Sequence, residues 1–137
     1  MFFPTNLIVA LIIAIVYIFI SFKIELPEKY KKKFRIYSIV IHTSFIAFLV
    51  IFALFISSTL DNTGLVIFSY GLDLFYVLIA LPLLIVLTYL IGKWIIGLKD
   101  FSIVIRYIAL FIILTLLIGV TIISYIAFIF TFYGFAP

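Results

Sequence analysis

Cysteine is absent from this 137-residue chain, and histidine, methionine and tryptophan occur once each. Without thiols there are no disulfides, thiolate metal sites, iron–sulfur clusters or cysteine nucleophiles. Charge is scarce too: 10% of the residues are charged and 69% are hydrophobic. A soluble domain carries about a quarter charged and about half apolar residues. A domain of this size still leaves a large surface facing water, and there is too little polar chain here to cover it. Lipid is the medium that suits these side chains. The same shortage excludes a nucleic-acid partner, which needs a basic surface facing water. No polar break exceeds about a dozen residues, which leaves no room for a soluble catalytic domain. No Ser-His-Asp set can meet at one depth, and neither metal-ligand spacing nor a Gly-rich phosphate loop occurs.

Apolar residues gather instead into four runs, each near the roughly 20 residues that cross a bilayer as a helix. The first is Phe2 to Phe22, with Pro4 near its start. No basic region precedes it and no small-residue cleavage site follows, so it reads as an uncleaved span and not as a signal peptide. The second is Ile36 to about Leu60, and Asp61-Asn62-Thr63-Gly64 is a turn by composition. Leu65 to Gly92 is longer than one untilted span requires. The expected helix is 72–92, with Leu65 to Tyr70 as an interfacial segment hinged at Gly71. The fourth run is Ser102 to about Phe132, followed by a short aromatic tail. The expected spans are thus about 3–22, 36–59, 72–92 and 103–131. Continuously apolar runs exclude a β-barrel, whose strands alternate over about ten residues. The fold expected is all-α: an integral membrane four-helix transmembrane bundle in a single domain over 1–137, with short connections making neighbours antiparallel.

The basic residues are sorted. Lys23, Lys29, Lys31, Lys32, Lys33 and Arg35 lie in the first break; Lys93, Lys99 and Arg106 lie in or beside the third. The middle break and both ends carry none. Basic loops stay on the cytoplasmic side. The expectation is a multi-pass cell-membrane protein, N-out and C-out, with the Lys23–Arg35 and Lys93–Phe101 loops cytoplasmic. Trp94 then stands at headgroup depth. An internal echo, Tyr37-Ser38-Ile39-Val40-Ile41-His42 against Phe101-Ser102-Ile103-Val104-Ile105-Arg106, is compatible with a duplicated hairpin. Apolar sequences also match one another cheaply.

Ionisable residues inside spans are the candidate sites, because burying them is expensive. His42 lies about two turns into the second run and could bind haem, relay protons or meet a quinone. A low-spin haem needs two axial ligands, so a partner chain would have to supply the second. The plainer reading is a neutral histidine bonded to a backbone carbonyl or to Ser38, one turn earlier on the same face. Asp73 has no Lys or Arg on its side of the membrane. It is either a cation or proton site, an ion pair with another subunit, or a carboxylate in the first helical turn, favoured by the dipole. Arg106, about one turn into the fourth run, is expected to snorkel to headgroups, with a lipid phosphate or Asp100 as partner. Pro82 frees the carbonyl of Leu78 and should kink its helix. Ala10/Ala14, Ala53/Ser57 and Thr115/Gly119 have the spacing that lets membrane helices approach closely.

These features point first to a small, non-catalytic accessory subunit of a larger membrane complex, such as a respiratory or other oxidoreductase assembly. Its partners would be membrane lipids and other integral membrane subunits, with no metal and no resident cofactor. Two alternatives are a haem- or quinone-associated electron-transfer protein using His42, and a small homo-oligomeric transporter or channel using Asp73 and the Pro82 kink. An immunity protein against a pore-forming toxin also fits the size.

Overall fold

A computed structural model of the chain describes residues 3–55 and 62–133. Within them the architecture is all-α: α1 (Phe3–Lys23), α2 (Glu28–Phe55), α3 (Asn62–Ile96) and α4 (Ile103–Tyr133). All four are long and apolar enough to cross a membrane. Helix is the form such runs must take in hydrocarbon, because it satisfies every backbone group internally.

Three helix ends depart from the expected spans. α2 begins at Glu28, so Lys29 to Arg35 form its first two turns and not a loop. Pro27 sits just before the helix, its carbonyl accepting from the Tyr30 and Lys31 amides, and Glu28 suits the positive end of the dipole. Lysine and arginine are good helix formers, and charge does not end a helix at the headgroups. α3 begins at Asn62, so the expected turn at Asp61–Gly64 is already helical from Asn62 onward. The same helix runs unbroken through Gly71, and the separate 65–70 segment does not exist. At its other end α3 continues through Lys93 and Trp94 to Ile96. Ser57, in the Ala53/Ser57 pair, and the tail beyond Tyr133 lie outside the described residues.

Gly71 is a close-approach position, not a hinge. The Phe48 ring of α2 lies where a Cβ at residue 71 would go. That ring stacks on Phe68 at 5.8 Å and meets Phe75 at 5.2 Å. Beside it Phe45, 1% exposed, touches Phe75, Phe128 and Phe132 at 5.1–5.6 Å between ring centroids. This aromatic cluster ties α2, α3 and α4 together, and the Asn6 side-chain amide of α1 donates to the Phe132 carbonyl at 3.4 Å. Phe132 is the buried residue of α4; the helix is otherwise half-buried or exposed. Ala10 and Ala14 are buried, as their spacing suggests. Thr115 and Gly119 are not packed: Thr115 is exposed and nothing stands within 4 Å of a Cβ at Gly119. The small side chains therefore serve α1 and leave an open face on α4.

At the opposite, basic end each hairpin is closed by an arginine. Arg35 Nη2 donates to the Phe22 carbonyl at the end of α1, at 3.0 Å, with its guanidinium over the Phe22 ring. Arg106 Nη1 donates to the Ile96 carbonyl at the end of α3, at 2.7 Å. Ser102 caps α4 by accepting from the Ile105 amide at 3.4 Å. The internal echo is out of register with the helix ends: its offset of 64 positions sets Lys29, in the first turn of α2, against Lys93, in the last turn of α3.

Candidate functional site

Pro82 is inside α3 and has no amide hydrogen to give the Leu78 carbonyl. Tyr37 of α2 supplies the missing donor, its hydroxyl reaching Leu78 O at 2.7 Å. Tyr17 of α1 donates to the next carbonyl, Ile79 O, at 3.0 Å. Two helices thus clamp the proline-opened turn of the third. In hydrocarbon no water can take over this task. Sequence reasoning located the orphan carbonyl but not its donors. The available signal was a tyrosine inside each apolar run, since a buried Tyr hydroxyl seeks a partner.

His42 lies beside this clamp, 1% exposed, with the Tyr17 ring at 4.5 Å. Its Nδ1 is 2.8 Å from the Ser38 carbonyl. A carbonyl only accepts, so Nδ1 carries the proton and Nε2 is the bare nitrogen. Ser38, fully buried, turns its hydroxyl to the Phe34 carbonyl at 2.7 Å. Nε2 is buried without a hydrogen-bond partner among the described residues. The ring is oriented as a ligand histidine would be, and it is buried with the Tyr17 ring packed near it. The cavity beside Pro82 and the smaller one beside Asn6 are lined by other residues. The carbonyl-bonded, buried reading of His42 is the one the geometry supports.

Asp73 stands three turns into α3, not in its first turn as expected, because the helix begins at Asn62. The dipole of the helix start therefore does not reach it. Its partner comes from α4: the Tyr125 hydroxyl donates to Asp73 Oδ1 at 2.7 Å. One turn on, the Tyr76 hydroxyl donates to the Thr121 carbonyl and lies 2.6 Å from Ser124 Oγ. The Tyr76 and Tyr125 rings meet edge to face at 5.1 Å. This patch opens outward, with Ser124 and Tyr125 exposed and Asp73 and Tyr76 half-buried. Asn6, near the start of α1, is level with Phe132. Tyr125 stands seven residues before Phe132, about 10 Å along the helix toward the basic end.

Arg106 does not meet Asp100; its recorded partner is the Ile96 carbonyl. Its stem and head close the α3–α4 turn, a structural role. The structure therefore joins Asp73 to α4, leaves Arg106 at the turn and keeps His42 in the α1–α2–α3 core. The three expected site residues form no common site. No group of three or more His, Asp or Glu side chains is placed to hold a metal among the described residues.

The helices define the class: a multi-pass membrane protein built as an all-α helical bundle. Beyond that class, the chain matches no protein-family model, curated protein or solved structure at a significant level.

Proposed function

We propose that the chain is a non-catalytic subunit that packs against another integral membrane protein through the α3–α4 face around Asp73 and Tyr125. One observation carries this: a hydrogen-bonded polar patch on two otherwise apolar helices faces away from the bundle. An apolar face there needs no partner, because lipid tails are as apolar as leucine. A carboxylate and three hydroxyls there are costly unless another chain meets them. Asp73 has two oxygens and, among the described residues, one of them has a donor, so a hydrogen-bond donor or cation from a neighbouring span is the complement.

The test is purification from native membranes in mild detergent. The reading expects a stoichiometric larger membrane protein with the wild type and its loss with Asp73→Leu, while helix content is unchanged. A chain that leaves the membrane alone, or keeps its partner in the variant, refutes it. Assembly only with its own copies would favour the channel or transporter reading, in which Asp73 and the Pro82 kink share α3.

We further propose that both basic ends face the cytoplasm across the cell membrane and that both termini are outside, because basic flanks are retained on that side. A chain without cysteine makes the test clean. Lys32→Cys should resist an impermeant thiol reagent in intact cells and Ser58→Cys should react; the reverse pattern inverts the arrangement.

A further inference from the structure

A cavity of about 630 Å³ lies at the basic end, between the first turns of α2 and the second half of α3. We infer that it binds one anionic phospholipid, with the phosphate on Lys33 and an acyl chain along Pro82, Ile85 and Val86. The volume is in the range of cavities that hold discrete ligands. Its walls are almost wholly apolar, and Lys33 is the cation among its lining residues. Apolar walls with one cation at the rim describe an amphiphile with an anionic head, not a free phosphate ion.

The position agrees with the chemistry. Lys33 stands in the basic first turns of α2, where headgroups lie. From Tyr89 down to Pro82 the groove descends along α3 for about 10 Å, from headgroup level into the hydrocarbon. Lys33 makes no ion pair among the described residues, whereas neighbouring Lys31 is held by Glu28 at 3.9 Å. The Tyr37 hydroxyl is committed to Leu78. The side-chain donors left at the rim are thus the Lys33 ammonium and the Tyr30 and Tyr89 hydroxyls, which suit phosphate and ester oxygens. Basic pockets between spans are a recognised place for anionic headgroups. The inner wall is the proline turn clamped by Tyr37, so a seated chain would cover the least regular part of α3. This inference does not depend on the partner surface, which lies toward the other end of the helices.

The test is native mass spectrometry of the purified chain released from detergent micelles carrying phosphatidylglycerol or phosphatidylcholine with identical acyl chains. One retained phosphatidylglycerol per chain is expected, preferred about fivefold, the ratio one basic residue at headgroup level supplies. Lys33→Gln should erase the preference and keep weak binding of either lipid. Lys99→Gln, outside the groove, should leave the preference intact. Val86→Trp, which fills the groove, should remove retention of both lipids while the helical spectrum persists. Equal retention of the two lipids by the wild type, or an undiminished preference in Lys33→Gln, overturns the inference even if Val86→Trp proves unable to fold.

Discussion

Tyr37→Phe removes one oxygen and should be unusually costly for an interhelical hydrogen bond in a membrane protein. Such bonds contribute about 0.6 kcal/mol on average and reach about 1.7 kcal/mol. The average is small because the groups also find partners in the unfolded, membrane-embedded state. Leu78 O has no amide to fall back on, since residue 82 is proline, and Tyr37 is its donor at 2.7 Å. Orphaning a carbonyl away from water costs about 1–3 kcal/mol. The expected loss is therefore about 1.5 kcal/mol, roughly a tenfold change in the unfolding equilibrium. Pro82→Ala returns an amide to position 82, and in that background Tyr37→Phe should cost only about 0.5 kcal/mol. The coupling in the double-mutant cycle should be about 1 kcal/mol. Tyr17→Phe is the internal control. Its acceptor, Ile79 O at 3.0 Å, faces the intact amide of Leu83, so the loss should stay near the average of about 0.6 kcal/mol. The assay is unfolding in mixed micelles by added sodium dodecyl sulfate, followed by far-ultraviolet circular dichroism. Equal losses for Tyr37→Phe with and without Pro82, or a Tyr17→Phe loss as large as that of Tyr37→Phe, would refute the clamp.

The same titration checks three further expectations. Gly71→Leu should destabilise by about 1–3 kcal/mol, because Phe48 occupies the space; Gly119→Leu, with nothing within 4 Å, should stay within about 0.5 kcal/mol. Arg106→Gln should lower stability by about 0.5–1 kcal/mol through loss of a cation and donor at the end of α3, and Asp100→Asn should not reproduce the effect. His42→Leu should change stability by no more than about 1 kcal/mol. The Ser38 carbonyl keeps its helical amide, and the substitution removes a nitrogen that has no partner among the described residues. The wild-type chain should show no Soret absorption; a band abolished by His42→Leu would restore the haem reading.

The clamp shows how far the linear order of residues reaches. Pro82 announces an orphan carbonyl four residues earlier, because a ring nitrogen has no hydrogen. Nothing in the order of residues says that Tyr37, 41 positions away, answers it. Asp73 is similar. Its scarcity in an apolar run marks it, but its partner lies 52 positions on, and Tyr125 looks like any other membrane tyrosine until α4 is laid against α3. Gly71 was open to a wrong reading for the same reason. A glycine inside an apolar run signals either a break or a close neighbour, and only the Phe48 ring decides between them. Helix starts also drifted, since charge ends the hydrocarbon-compatible stretch without ending the helix.

By itself the sequence determined the medium, the number of helices and the sorting of basic residues to two breaks, because hydropathy and charge act residue by residue. Tertiary structure decided which carbonyl Tyr37 satisfies, which face of α3 carries Asp73 outward and where a groove opens beside Lys33. Those depend on the rotation of each helix about its axis. Runs apolar on every side leave that rotation unspecified until side chains from other helices meet them.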